Sequence, residues 1–350
     1  MSRIIKDVPA ALQGLCDVFV EVDSDSPRIL QLTDMQIIDA DQRRTPDRIG
    51  EEKIRYWARD RVDANLLSHI RDLVAQSRPD LIMITGDVVY GEFDDSGYMQ
   101  KMFADFFDEL EIPWAVAFGN HDNESAKGIE WQCDLYESAR YGLFRRGNCT
   151  GYGNYTVGLV HNGKLLRVLY MLDSHGCRHA ASPEAKIAAG LYPDQLEMVK
   201  NTAKGIADRL DAPVPGFAAY HIPTQEFVDA LVEKYGYSQK DYFTLGADCK
   251  TQDGDFGAQY EKFKGINAEE SLIAHWNACS VDGVFVGHYH MINTSILYQG
   301  VRLTFGLKTG VYDYFTNGQL GGTVVDCAAD GSFTVHHLTT LVPYDPPFPT

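Results

Sequence analysis

Several common signatures are missing from this chain. No apolar run approaches the ~18 residues of a membrane span. The N-terminus carries Arg3, Lys6 and Asp7 with no apolar stretch behind them, so no signal peptide is expected. Seven cysteines are present, an odd number, and none forms a Cys-x-x-Cys pair. That argues against a zinc ribbon, a thioredoxin-type site or a disulfide framework, and the expected setting is the reduced cytoplasm. Basic residues are scarce: 31 Lys and Arg stand against 49 Asp and Glu, a formal charge of −18. Bulk nucleic acid is therefore not an expected partner, and no membrane partner is expected. There is no G-x-S-x-G elbow and no P-loop. Gly151-x-Gly153 lacks the third glycine of a dinucleotide fingerprint.

What is present is ordinary globular material, 45% hydrophobic and 23% charged over 350 residues, enough for a large core without disulfides. Apolar runs alternate with amphipathic ones. Strands are predicted at 28–35, 81–88, 114–118, 166–172, 217–220, 283–286 and 302–307. Helices are predicted at 46–77, 99–110, 194–210, 224–233 and 268–279. The segment 322–338 alternates across Ala329-Asp330-Gly331, a hairpin signal. Strands apolar throughout are buried on both faces, so the fold class is α/β, a sandwich of sheets flanked by helices. The organisation expected is an N-terminal extension (1–27), one domain (28–340) and a C-terminal tail (341–350). Loop insertions are expected at about 141–164 and 235–265.

The chemistry sits where the apolar strands end. One ends in Thr33-Asp34-Met35-Gln36, another in Thr85-Gly86-Asp87, and a third in Gly119-Asn120-His121-Asp122. Later strands end in Tyr220-His221-Ile222-Pro223 and Gly287-His288-Tyr289-His290. In an open α/β sheet, ligands bind beyond the carboxyl ends of the strands. Carboxylates, imidazoles and amide oxygens there suit Mn, Fe, Zn or Mg. Taken singly, a Gly-Asp is usually a turn, and a lone His221 is usually a packed histidine. Five such ends in this order make a metal site the better reading.

The ordered set resembles the calcineurin-like metallophosphoesterase superfamily. Leu172-Asp173-Ser174-His175, Tyr220-His221-Ile222-Pro223 and Val284-Phe285-Val286-Gly287-His288 resemble its purple-acid-phosphatase-related subgroup, which includes Dcr2-like and PAP29-like phosphatases. The resemblance spans roughly 28–338. It implies a four-layer sandwich of two mixed β-sheets flanked by helices. It implies two divalent or trivalent metal ions, Fe, Mn or Zn first and Mg as a further option. Asp34, Gln36, Asp87 and His290 would hold one ion. Asp87, Asn120, His221 and His288 would hold the other, with Asp87 bridging. His121 would act on the scissile phosphate, and Asp122 would steady its loop. The implied activity is phosphate-ester hydrolysis by in-line attack of a metal-bridging hydroxide, with a phosphomonoester favoured over a phosphodiester. The alternative is a non-catalytic scaffold of the same fold that binds a protein partner.

Gln36 departs from the family pattern, which usually has His there. A neutral amide oxygen is a weaker donor than imidazole, so weaker binding at the first ion is expected. His175, Arg178, Tyr289, Lys308, Tyr312 and Tyr314 lie near the motifs. Arg178 and Lys308 are cations that could reach a phosphate oxygen, although an ordinary packing or surface role is the stronger reading for each.

Overall fold

The computed structural model describes residues 2–37, 62–94, 96–177, 186–267, 271–311, 313–316 and 318–340. The expected helix before residue 62, Arg178, Tyr312 and the expected tail 341–350 lie outside them.

Two mixed sheets form the centre. The larger has eight strands: β1 (Arg3–Ile4), β2 (Val18–Glu21), β6 (Tyr155–His161), β7 (Lys164–Met171), β8 (Gly216–Ala219), β11 (Val281–Val286), β13 (Val301–Phe305) and β12 (Ser295–Tyr298), in that spatial order. The smaller has five, in the order β15 (Phe333–Thr339), β14 (Gly321–Cys327), β3 (Arg28–Leu32), β4 (Leu81–Thr85) and β5 (Trp114–Ala117). The strands that carry the motifs run parallel to their neighbours: β3 with β4, β4 with β5, and β8 with β11.

Side-chain alternation explains the stacking. Successive residues of a strand face opposite sides. In the larger sheet Leu169, Met171, Phe217, Ala219 and Phe285 join the core shared with the five-stranded sheet. Their neighbours Val168, Tyr170, Ala218, Tyr220, Val284 and Val286 join a second core. Phe217 meets Phe333 across the two sheets with ring centroids 4.7 Å apart. All five residues of β4, Leu-Ile-Met-Ile-Thr, are buried.

Helices close the outer faces. The first core takes in apolar faces of α1 (Val62–Ser77), α2 (Tyr98–Glu109) and α3 (Ile129–Ser138). The second takes in α4 (Pro193–Leu210), α5 (Gln225–Tyr235) and α6 (Ile273–Ala278). The result is the expected four-layer α/β sandwich. Among the described residues, no helix is long and apolar enough to cross a membrane.

Three features differ from expectation. Of the extension expected at 1–27, the described residues 2–27 do not lie outside the domain. Val18–Glu21 pairs in parallel with β6 from Val157 to Val160, and Arg3–Ile4 pairs with β2. The stretch 141–164, expected as a loop, contains β6. The stretch 235–265 carries a two-stranded ribbon of β9 (Phe243–Thr244) and β10 (Ala258–Gln259). The 322–338 hairpin forms as expected, with Ala328 N–H donating to Ser332 O at 2.8 Å and Gly331 at φ 87°.

Candidate metal centre

Five parallel-strand ends deliver the seven expected ligands to one place. Asp34 and Gln36 follow β3, Asp87 follows β4 and Asn120 follows β5. His221 follows β8, and His288 and His290 follow β11. The backbone there is unusual. Asp34 (φ 50°), Gln36 (φ 46°), Asp87 (φ 52°) and His288 (φ 74°) all lie in the left-handed region, which residues with a Cβ seldom adopt and which clusters at functional sites. Two glycines are required by close approach. A Cβ on Gly119 would come 2.1 Å from Asp87 Oδ1, and one on Gly287 would come 2.6 Å from Asp34 Oδ2.

The half of the site built on imidazoles converges. His221 Nδ1–H donates to Thr85 O at 2.8 Å. Its Nε2 then faces Asp87 Oδ2 at 3.1 Å and His288 Nδ1 at 3.3 Å. Asp87, His221 and His288 are the one group of three among the described residues whose donor atoms all lie within 4.8 Å of one another. Asn120 Oδ1 is buried and has no hydrogen-bond partner. Lone pairs gathered this closely in a buried site call for a cation. The protein charges show the same demand. Burial disfavours a proton on His221, but Asp87 and Asp34 outweigh it and push its pKa up to about 9. Burial, with His221 nearby, holds His288 down to about 3, so its ring is neutral and able to ligate. Burial works to raise the Asp34 pKa, but His221 and His290 hold that group down to about 2. Asp87 is likewise held below the carboxylate range by His221 and His121 against the effect of burial. The donor set fits a metal ion.

The other half differs. Asp34 Oδ1 is buried without a partner and lies 3.4 Å from His290 Nε2, while His290 Nδ1–H donates to Tyr314 O at 2.9 Å. Both keep a donor atom for an ion. Gln36 does not. Its amide N–H donates to Asp87 Oδ2 at 3.1 Å, and its carbonyl oxygen accepts from Lys308 Nζ at 2.9 Å. Lys308 Nζ also donates to the Asp34 carbonyl at 2.9 Å. The atom of Gln36 expected to ligate is thus turned to an ammonium group. Lys308 is 1% exposed; it braces the site from within rather than reaching a phosphate in the cavity.

His121 stands beside these groups. Its backbone N–H donates to Asp87 Oδ1 at 2.9 Å, and its Nδ1 pairs with Glu124 Oε2 at 2.6 Å. Its ring stacks on Tyr90 at 4.1 Å. Burial works to lower its pKa, but Asp87 and Glu124 raise it above the ordinary value. Asp122 accepts from the backbone N–H groups of Asp87, Gly119 and Val89 at 2.9, 2.7 and 3.2 Å, tying the β4 and β5 loops together. Burial and Asp87 raise its pKa to about 7. Glu124 was not singled out from the sequence, although its i+3 spacing from His121 was a readable signal.

A cavity of about 750 Å³ opens over these residues, with His121, Asn120, Tyr289 and Tyr314 in its wall. Tyr314 stacks on His290 at 4.2 Å. His175 is 2% exposed and held by Gly190 O and Asp173; it packs the neighbouring loop instead of lining the cavity.

Comparison with known proteins bears on family and fold. The calcineurin-like phosphoesterase family model matches residues 27–204. The chain is 33% identical over 284 residues to probable inactive purple acid phosphatase 14 of Arabidopsis thaliana, covering 74% of this chain and 65% of that protein. It is 25% identical over 252 residues to phosphatase DCR2 of Saccharomyces cerevisiae, covering 66% of this chain and 39% of that one. These relatives match the expected subgroup. The chain spans between 31% and 66% of the length of curated relatives that it matches. In fold it is similar to a dimetal phosphatase from Danio rerio, at 13% identity and a TM-score of 0.50, covering 86% of this chain and 93% of that one. The ordered strand-end ligands, the paired mixed sheets and the family match together establish that this chain belongs to the calcineurin-like phosphoesterase family.

Proposed function

We propose that this chain is a metal-dependent phosphoric ester hydrolase, with a phosphomonoester favoured over a phosphodiester. The observation that carries the reading is the convergence of Asp87, His221 and His288 at the foot of a cavity that His121 also lines. Asp87, Asn120, His221 and His288 would hold the metal. A bound ion in such a site neutralises charge on phosphoryl oxygens and supplies a nucleophile at neutral pH. The chain's own residues do the rest. His121, whose pKa Asp87 and Glu124 raise against the effect of burial, would offer positive charge to the phosphate and a proton to the leaving oxygen. Glu124 fixes the ring through Nδ1, which leaves Nε2 to act. Lys186 and Lys264 stand in the cavity wall and suit an anionic substrate. Seven cysteines with no Cys-x-x-Cys pair among them fit a reducing compartment such as the cytoplasm.

A second reading is a scaffold of the same fold without turnover. Gln36 turned to Lys308 favours it, as do relatives named probable inactive purple acid phosphatases. The deciding test is hydrolysis of p-nitrophenyl phosphate and bis-p-nitrophenyl phosphate. Metal-stripped protein would be resupplied singly with Mn, Fe, Zn or Mg, with His121→Ala and Asp87→Asn as controls. Metal-dependent turnover lost in both variants supports the hydrolase, and the better substrate separates mono- from diesterase. Stoichiometric metal binding with no turnover on either ester favours the scaffold.

A further inference from the structure

We propose that the buried ammonium group of Lys308 takes the place of the first ion of the expected pair, so that this chain binds a single metal ion, at Asp87, Asn120, His221 and His288. The proposal rests on the reading that those four residues hold a metal.

Three observations carry it. The first is the locked amide of Gln36. Its N–H points to Asp87 Oδ2 and its oxygen to Lys308 Nζ. A flipped amide would set its oxygen against a carboxylate and its N–H against an ammonium, so the two partners fix the orientation. The oxygen is not available to an ion while Lys308 is in place. The second is that Lys308 has nowhere else to go. Its backbone bridges Thr33 on one side and Leu320 on the other, its side chain is 1% exposed, and Nζ is held a second time by the Asp34 carbonyl. The cation is enclosed where it stands.

The third is the number of donors left. Asp34 Oδ2 already accepts from Thr33 Oγ1 at 2.8 Å and from the His288 N–H at 2.9 Å. Asp87 Oδ2 is shared by the Gln36 amide and His221. With Asp87 given to the ion between His221 and His288, the first position has Asp34 Oδ1 and His290 Nε2 as donors of its own, whereas catalytic zinc sites ordinarily use three protein ligands. A dication there would also share a buried setting with the Lys308 charge, where repulsion is poorly screened. With one ion, the carboxylates of Asp34 and Asp87 are balanced by the metal and Lys308 together.

The experiment is a metal count with a spectroscopic readout. Stripped protein is reloaded with Mn(II), passed through a desalting column, and measured by native mass spectrometry and electron paramagnetic resonance. The expected result is one Mn per chain with the resolved hyperfine pattern of an isolated ion. Two Mn per chain with an exchange-coupled signal would overturn the proposal while leaving the metal reading of the site intact. No retained Mn, and none with Zn or Fe by mass, would overturn the metal reading and this proposal with it. The double variant Gln36→His, Lys308→Met should rise to two coupled ions. A folded double variant that still binds one ion would overturn the role given to Lys308. Should the double variant fail to fold, the count and signal of the unmodified chain decide alone.

Discussion

The two halves of the site use the same kinds of strand end and arrive at opposite electrostatics. Around His221 and His288, lone pairs converge with no lysine or arginine among the described residues bonded to them, and the carboxylates draw a proton onto His221 by raising its pKa to about 9. Around Gln36 and Asp34, the chain has supplied its own cation from the end of β13, and the amide is already satisfied. Buried acceptors demand positive charge, and on our proposal a metal ion would meet this demand in one half while Lys308 meets it in the other. A ligand pattern read along a chain therefore identifies a metal site without fixing how many ions the site needs.

The comparison breaks most sharply at His288. His288→Ala removes one of three convergent donors, so bound metal and turnover should be lost together, as read by metal content and p-nitrophenyl phosphate hydrolysis. Retained metal at full occupancy would show that the imidazole half is not the ion's seat. Next is Lys308→Met, which leaves Gln36 Oε1 and the Asp34 carbonyl without their buried donor. We expect a loss of about 3 kcal/mol by urea denaturation, the usual scale for removing one partner of a buried charged contact. A change below about 0.5 kcal/mol, the range of ordinary surface substitutions, would mean the ammonium does not hold that half together.

A smaller effect is expected at His121. Its pKa is raised by Asp87 and Glu124 against burial, so its acid form persists to higher pH than usual. Glu124→Gln removes one of those charges, and the descending limb of kcat/KM against pH should move to lower pH. A limb that stays in place, or moves up, would separate Glu124 from the proton on His121.

The smallest effect lies outside both halves. Burial lowers the pKa of His337 from 6.5 to about 4. Its Nε2–H donates to Asn293 O at 2.7 Å, and its Nδ1 pairs with Thr323 Oγ1 at 3.0 Å, an arrangement suited to the neutral ring. The unfolded chain takes up a proton below 6.5 that the folded chain refuses until about 4, so stability falls as pH falls through that window. His337→Gln should flatten that part of the urea-midpoint profile. An unchanged slope would assign the loss to other groups.

Much of this was legible in the sequence, for definite reasons. Strands such as Leu81–Thr85 are apolar throughout because both faces are covered, and a polar residue right after such a run has to sit at a sheet end. Asp34, Asp87, Asn120, His221, His288 and His290 were readable for that reason. The pairing of Gln36 with Lys308 was not, because 272 positions separate them and it takes the bridge between Thr33 and Lys308 in the fold to bring them together. The resemblance showed that Gln36 was unusual, but neither composition nor spacing could show what its oxygen faced. Strand β2 escaped because Val-Phe-Val-Glu is four residues long with no alternation to mark it.

That short strand bears on where the domain can be cut. A shortened polypeptide beginning at Arg28 would keep every residue of the metal centre. It would also strip β1 and β2 and expose the side of β6 from Val157 to Val160 that β2 now covers. The freed N–H and C=O groups would form an open edge on an apolar strand, a template for pairing with another molecule. Phe19, which packs against Gly158 closely enough that a Cβ there would come 2.6 Å from its ring, would leave a bare groove beside that edge. Such a molecule would carry a complete catalytic inventory and still tend to aggregate, so its solubility depends on residues remote from its chemistry.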